Sequence, residues 1–320
     1  MNRDNSLDAV GGLLIAYMIY GHICLWCGVK HIEILARIFF FFMPWFFFKS
    51  GMFFKSEKIC DLFSKGWRRL MIPYMVFSLL GQVVFSVMWL FGGNTPLKHY
   101  IIAPLRTLLH EGAVVGNSPL WFLLSLFVVR ILFGLVSRNK KVLYCGVLIS
   151  LALAFVLNAL SLHDYFYISN ISLGFFFFGC GYFMRNSQYT MPYLIAGIIF
   201  YISYVIGGSV GFDFRSNGIE TSNYLFCMVA CLGGIVTINN ASRRFKCIGS
   251  WLVYIGKNSM TYYVAHWVVL GLSSILFRNI LGLSDGYTLF VAYVLANVTL
   301  LPLIDIVSTK KLNGFLENKK

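Results

Sequence analysis

Apolar residues occur along this chain in runs of about twenty, separated by short polar segments. The first run, residues 7–26, reads LDAVGGLLIAYMIYGHICLW, and as a helix it is long enough to cross a bilayer. Comparable runs recur along the whole chain and predict about ten membrane-spanning helices. The predicted spans are residues 7–27, 35–53, 71–91, 120–135, 142–160, 165–183, 193–210, 224–239, 259–276 and 287–307. Pro44 is expected to kink the second span.

Composition agrees with this pattern. The 320 residues are 58% hydrophobic and 12% charged, whereas a soluble domain is about half apolar and a quarter charged. Lipid must therefore be the solvent for much of the surface. We predict an all-α polytopic membrane bundle that forms one domain over residues 1–320. The first run is expected to be a retained helix rather than a signal peptide, since no small-residue cleavage site follows it.

Charge adds an orientation to the predicted bundle. The net charge is +14, but the basic residues cluster in short loops, which argues against nucleic-acid binding. If the N-terminus is cytoplasmic, eighteen of the 26 Lys and Arg residues fall in inner segments, five in outer segments and three inside spans. This asymmetry follows the positive-inside rule and predicts that both termini are cytoplasmic. The long outer segment, residues 92–119, is expected to lie on or dip into the outer leaflet.

His22 is the candidate chemical centre. It lies about fifteen residues into the first span, or about 22 Å along a helix, which places it in the outer half of the membrane. Ionisable side chains at that depth are costly and mark functional sites, and a neutral imidazole is a usable general base. The alternative is a buried histidine that only bonds a neighbouring helix. The eight cysteines lie mostly in apolar runs, so neither a metal site nor a structural disulfide is predicted.

Several cations accompany the second to fourth spans. Lys65, Arg68 and Arg69 form a basic cluster at the predicted inner face, which suits a phosphate-bearing ligand or, equally, lipid headgroups. Lys49 and Arg130 fall inside spans.

At the outer mouth of the fourth span, Asn117 and Trp121 are candidates to contact a sugar. An interfacial aromatic belt explains Trp121 equally well.

Five short motifs in order resemble the acyltransferase-3 family of integral membrane O-acyltransferases. They are RDNSLDAVGGLLIAYMIYGH at the start, FFFKSG at 46–51, KGWRRLMIPY at 65–74, LWFL at 120–123 and SMTYYVAHW at 259–267. The resemblance covers essentially the whole chain. It implies transfer of an acyl group, expected to be acetyl, from cytoplasmic acetyl-CoA to a hydroxyl of a cell-surface glycan or lipid-linked precursor. It also implies a multi-pass protein of the bacterial cytoplasmic membrane that needs no metal.

The resemblance assigns site residues as well. The catalytic histidine of the family falls on His22, and the basic residues before the Ile-Pro motif fall on Arg68 and Arg69. Tyr262 and His266, in the fifth motif, are expected to line the cavity or to pack around it.

One position departs from the family pattern. The family often has a cation eleven residues before the histidine, and here that residue is Gly11. We expect Lys49, at a similar depth, to take over the binding of acyl-CoA, with Arg130 as a further intramembrane cation. A snorkelling Lys49 is the alternative.

The expected reaction is direct attack, in which His22 takes the proton of the sugar hydroxyl as its oxygen attacks the thioester. No carboxylate is available to orient His22, so Tyr, Ser or backbone groups are expected to do so. A covalent acyl-His intermediate stays open. Two other functions stay open as well: a transporter for a small anion or glycan precursor, with Lys49, Arg130 and His22 along its path, and a non-catalytic relative of the family.

Overall fold

The computed structural model describes residues 5–92, 97–162, 166–207, 212–219, 221–244 and 249–317. Over these residues the chain is a bundle of α-helices joined by short 3₁₀ and π-helical turns. The helices are α1 (Asn5–Cys27), α2 (Glu33–Ile38), α3 (Phe42–Met52), α4 (Ile59–Gly66), α5 (Ile72–Gly92), α6 (Leu97–Glu111), α7 (Trp121–Val136), α8 (Lys140–Ala159), α9 (Phe166–Met184), α10 (Met191–Gly207), α11 (Tyr224–Arg244), α12 (Ser250–Lys257), α13 (Ser259–Ser274) and α14 (Gly286–Glu317).

The predicted all-α membrane bundle is confirmed. Within the described residues, nine helical segments are long and apolar enough to cross a membrane. The remaining predicted span, residues 193–210, corresponds to α10, an apolar helix of 17 residues. Tyr165 and Val210, which begin and end two of the predicted spans, lie outside the described residues.

The second span is broken rather than kinked. It consists of α2 and α3, and residues 39–41 between them are not helical. Pro44 is the third residue of α3. A proline has no N–H to donate to the carbonyl four residues back, so it is tolerated in the first turn of a helix. Pro44 therefore loses no backbone hydrogen bond when the helix is interrupted just before α3.

Glycines set the closest helix crossings. A Cβ added to Gly256 of α12 would lie 1.6 Å from the carbonyl oxygen of Asp8 in α1, and one added to Gly12 would lie 2.0 Å from that of Leu252. Gly51 of α3 meets α9 in the same manner, 1.9 Å from the carbonyl oxygen of Phe178. Small residues let helix backbones approach in lipid, where dispersion rather than water drives packing. These crossings fix α1 against α12 and α3 against α9.

Contacts among α1, α12 and α14 place the start of α1 and the part of α14 around Asp305 at the same end of the bundle. The start of α1 packs on α12, whose Tyr254 hydroxyl donates to Asp305 of α14 at 2.7 Å. At the other end, a Cβ on Gly286, the first residue of α14, would lie 3.1 Å from the carbonyl oxygen of Cys27. We name the two ends of the bundle the Asp8 end and the Cys27 end. The cytoplasmic location of the Asp8 end stays a prediction.

Candidate active site

His22 meets a second histidine from the far end of the sequence. Nδ1 of His22 lies 2.9 Å from Nε2 of His266, and the two rings are nearly parallel and meet edge to edge, with centroids 5.0 Å apart. His266 is fully buried on α13, and its Nδ1 lies 2.7 Å from the carbonyl oxygen of Tyr263. Tyr, Ser or backbone groups were expected to orient His22, but the residue in that position is His266. The two histidines are 244 positions apart in the sequence, so no local pattern indicates this contact.

The hydrogen bonds assign the tautomers of two neutral rings. A carbonyl oxygen can only accept, so Nδ1 of His266 carries the proton that is donated to Tyr263. Nε2 of His266 is then the acceptor, and Nδ1 of His22 must donate to it. Nε2 of His22 consequently keeps a free lone pair. The arrangement prepares His22 as a base without a carboxylate.

His22 lies on the wall of a cavity of about 270 Å³, which we name the His22 cavity. Its walls are mainly aromatic and apolar, and four polar side chains interrupt them. The lining residues are Met18, His22, Leu25, Phe40, Phe42, Met43, Ser118, Pro119, Trp121, Phe212, Asp213, Phe214, Arg215, Tyr263 and Trp267. A small cavity with aromatic walls and few polar groups is typical of sites that bind one small organic unit.

A cation from the loop between α10 and α11 enters this cavity. Arg215 forms an ion pair with Glu111 and donates from Nη1 to Ser118 Oγ at 2.8 Å. Burial lowers the pKa of Arg215 from its ordinary value, but a guanidinium stays protonated in proteins near neutral pH. Arg215 is one of the five basic residues predicted to lie in outer segments, and the hydrophobic pattern does not indicate that it folds toward the cavity.

A second cavity, of about 530 Å³, lies toward the Asp8 end. We name it the basic cavity, since five cations line it against the single carboxylate of Glu57. Its lining residues are Ile15, Met43, Phe46, Lys49, Ser50, Phe53, Phe54, Lys55, Glu57, Leu62, Lys65, Arg69, Phe122, Leu123, Leu126, Arg130, Ser259, Met260 and Tyr263. Lys65 donates to Glu57 at 2.5 Å. A surplus of positive charge beside apolar walls suits a polyanion with an apolar arm.

The neighbouring residues Arg68 and Arg69 lie in a π-helical turn and have different surroundings. Residues Trp67–Met71 form one π turn between α4 and α5, and such turns re-aim side chains within a helix. Arg69 lines the basic cavity, whereas Arg68 is exposed and is not among the lining residues. The structure therefore brings Lys49, Arg69 and Arg130 together and leaves Arg68 outside the cavity.

Lys49 occupies the space beside Gly11. A Cβ on Gly11 would lie 3.4 Å from Nζ of Lys49, so the ammonium lies at the depth expected from the sequence. The same ammonium lies 3.4 Å from Oδ1 of Asp8, which is only 4% exposed. The pair leaves Lys49 at the cavity wall with part of its charge compensated. Its role toward a ligand stays a prediction.

The two cavities are stacked along the same four helices. In α1 and α13 the residues of the basic cavity come first and those of the His22 cavity follow, whereas in α3 and α7 the order is reversed. Met43 and Tyr263 belong to both linings and form the partition between the cavities. The helices α7 and α13 run in opposite directions, so an even number of membrane crossings lies between them. Since α8, α9 and α11 are each long enough to cross, α10 must supply the fourth crossing.

The remaining candidates from the sequence divide between cavity and core. Trp121 lines the His22 cavity. Asn117 is fully buried and donates to the carbonyl oxygens of Phe77 and Val264 at 3.3 and 3.1 Å, so it ties α5 to α13. Tyr262 is buried and belongs to neither lining. Asn117 and Tyr262 therefore belong to the packed core around the cavities and not to a cavity wall.

The comparisons with known proteins add the family. A family model described as an acyltransferase domain matches residues 4–307. No curated protein and no solved structure matches the chain. The matched segment contains every described element of both cavities and the His22–His266 contact. The chain is thus a membrane protein that belongs to the acyltransferase-3 family of acyltransferases.

Proposed function

We propose that the protein transfers an acetyl group from acetyl-CoA to a hydroxyl of a cell-surface glycan or its lipid-linked precursor. One observation carries the proposal: a cation-lined cavity and an aromatic cavity containing His22 lie end to end and share only Met43 and Tyr263. A donor with a phosphorylated head and a thin arm fits the first cavity. A sugar fits the second. The thioester would meet the hydroxyl at the partition.

The basic cavity suits the nucleotide end of acetyl-CoA. Lys49, Arg69 and Arg130 supply charge from three different helical segments, as a ligand with several phosphates requires. Nε of Arg130 is buried and has no hydrogen-bond partner among the described residues. A buried donor without a partner costs stability, so it favours a ligand that supplies an acceptor.

His22 would act as the general base of the transfer. As the hydroxyl oxygen attacks the thioester carbon, Nε2 of His22 takes the hydroxyl proton, and the imidazolium donates from Nδ1 to His266. The C–S bond then breaks, and the thiolate leaves as CoA thiol after taking the proton back from His22. An ester and a thiol result, and the enzyme returns to its starting state. General-base catalysis of this kind contributes about 10²–10⁴-fold.

The proposal also fixes the orientation. With the Asp8 end in the cytoplasm, the basic cavity faces the compartment that contains acyl-CoA, and the loops with most Lys and Arg residues lie on the same side. The His22 cavity then faces the outside of a bacterial cytoplasmic membrane, where glycan acceptors are exposed.

Purified protein incubated with acetyl-CoA labelled in the acetyl group tests the chemistry. Wild type should consume the thioester and transfer label to an added glycan fraction, and His22→Ala should lower the rate about 10²-fold or more. His31→Ala is the matched control, because His31 lies at the same end of the bundle and lines neither cavity. Equal rates in wild type and His22→Ala would reject the proposal.

A transporter is the second candidate, since the two cavities lie toward opposite ends of the bundle. Proteoliposomes separate the two functions. A transporter would move the intact labelled substrate across the bilayer without thioester cleavage, whereas the acyltransferase releases CoA thiol.

A further inference from the structure

Residues 212–219, between α10 and α11, form an anchored element beside the His22 cavity. They form a tight turn closed by two backbone hydrogen bonds of 2.9 Å between Asp213 and Gly218. Phe214 is only 4% exposed and stacks on Phe47 and Trp121. A loop tip that inserts an aromatic ring into the core has a fixed position relative to the bundle.

Asn217 anchors the other half of the turn. Its side-chain amide donates to the carbonyl oxygen of Ala154 at 2.6 Å, and its side-chain oxygen accepts from the Tyr224 hydroxyl at 2.8 Å. Asn158 donates to the backbone oxygens of Asn217 and Ile219 at 2.8 and 2.9 Å. Asn217 has φ of +55°, a conformation that asparagine tolerates better than most residues. These bonds hold the turn without any part of the partition or the histidine pair.

The anchored turn presents two charged groups to the cavity. Asp213 and Arg215 both line it. The Asp213 carboxylate accepts from the Arg215 backbone N–H at 3.0 Å and from Ser216 Oγ at 2.6 Å, which fixes its orientation and leaves further lone pairs. Arg215 is neutralised by Glu111. The lining of the cavity therefore carries one carboxylate, Asp213, and one cation, Arg215, whose charge is already compensated by Glu111 outside the lining. This set of charges disfavours an anionic ligand.

We infer that the turn 212–219 selects the acceptor, and that the acceptor unit is an uncharged sugar ring. The inference rests on the proposed function and names the substrate class of its second cavity. Asp213 accepts hydrogen bonds from sugar hydroxyls, Arg215 donates to a ring or hydroxyl oxygen, and Trp121 and Trp267 provide apolar surface for the C–H face of the ring. Asp213 and Arg215 are thus specificity residues, and neither takes part in proton transfer.

Two acceptors that differ only at C6 test the inference: methyl α-glucopyranoside, with a hydroxymethyl group there, and the corresponding methyl glucuronide, with a carboxylate. Both are incubated with wild-type protein and acetyl-CoA, and the O-acetyl products are quantified by mass spectrometry. The glucoside should be acetylated with kcat/KM at least about tenfold above that of the glucuronide, because the carboxylate of the glucuronide would be buried near Asp213 without a free cation among the described lining residues to pair with. Preference for the glucuronide, or equal use of the two, would overturn the inference.

Asp213→Asn keeps an acceptor oxygen for the turn but removes the carboxylate charge. It should raise KM for the glucoside about tenfold and narrow the preference over the glucuronide, while KM for acetyl-CoA is unchanged. Asp285→Asn is the matched control: this exposed carboxylate lies at the same end, where it accepts from Thr288 at the start of α14. A thermal unfolding measurement checks that Asp213→Asn leaves the fold intact.

The outcomes separate the two proposals. If acetyl-CoA is consumed in a His22-dependent reaction but neither sugar is acetylated, the acceptor inference fails and the donor chemistry stands. If no thioester is consumed under any condition, the proposed function itself fails. If Asp213→Asn changes KM for acetyl-CoA and the acceptor alike, Asp213 has only a structural role and the inference is overturned.

Discussion

The basic cavity and the His22 cavity are built on the same four helices yet differ in nearly every physical property. The basic cavity, with about twice the volume, is lined by five flexible cations. The His22 cavity is walled by aromatic rings, and its charges are held by an anchored turn and by helix α6. Charges at the ends of long Lys and Arg side chains suit a ligand that is recognised by its phosphates. Polar groups held in fixed positions suit a ligand that is recognised by the geometry of its hydroxyls. The difference teaches that one membrane bundle can bind two dissimilar substrates by changing side chains along each helix.

The largest effect is expected at the pair of histidines, of which His22 lines the His22 cavity and His266 lies buried behind it. His266→Ala should lower kcat about 10²-fold, because His22 loses the acceptor that fixes its tautomer and stabilises its imidazolium. His266→Gln should recover part of the rate, since its amide oxygen can accept from His22 while its amide N–H donates to Tyr263. KM for acetyl-CoA should not change in either variant.

A purely structural role for His266 predicts a different result. The Ala and Gln variants would then lose activity in proportion to their loss of folded protein, which circular dichroism and thermal unfolding measure. Equal kcat in Ala and Gln variants of equal stability would reject His266 as a positioning residue.

The partition between the cavities is the next most sensitive point. Met43→Trp should close the passage and lower the rate of acetyl transfer about tenfold or more. Binding of adenosine 3′,5′-bisphosphate, which lacks the arm of CoA, should be unchanged. Met43→Ala enlarges the passage and serves as the control at the same position. Transfer at the wild-type rate by a folded Met43→Trp protein would show that the substrates meet elsewhere.

The features that could be predicted from the sequence are those that depend on residues close to one another along the chain. Helix positions came from local hydrophobic runs, and the residue at which α3 begins is linked to Pro44, a local signal. His22 was found because an ionisable residue stands out within an apolar run. Its partner His266 was named only as a lining or packing residue, since contact between α1 and α13 depends on tertiary packing. No pattern in the sequence indicates that Arg215 lines the His22 cavity.

Lys49 illustrates the same limit from the other side. Its depth beside Gly11 could be estimated by counting helical rise, but its pairing with buried Asp8 could not. That pairing changes the experiment, because Lys49→Met alone removes a cation from beside a buried carboxylate and so changes the stability of the fold as well as the cavity. Loss of binding in the single variant would therefore not be interpretable.

The basic cavity is better tested by comparing Asp8→Asn with the double variant Asp8→Asn/Lys49→Met. Asp8→Asn should tighten acetyl-CoA binding, because Lys49 keeps its charge and loses its competing partner. Adding Lys49→Met should weaken binding about tenfold relative to Asp8→Asn, as expected for one charge-assisted hydrogen bond. Isothermal titration in detergent measures both. Affinities that are equal in the two variants would remove Lys49 from the donor site.

The smallest effect is expected at Glu57, the one carboxylate among the described residues that line the basic cavity. The hydrogen bond from Lys65 lowers its pKa below the ordinary value of 4.5, so Glu57 is ionised across the working range and is protonated only as the pH falls through that lowered pKa. Glu57→Gln should therefore tighten acetyl-CoA binding about two- to threefold at pH 7, a size typical of exposed charges screened by water and salt. The gain should shrink as salt is added and as the pH falls below the pKa of Glu57. The same substitution should leave KM for the acceptor unchanged, because Glu57 lies on the donor side of the partition. A shift of the acceptor KM instead would mean that the two cavities are not separate binding sites.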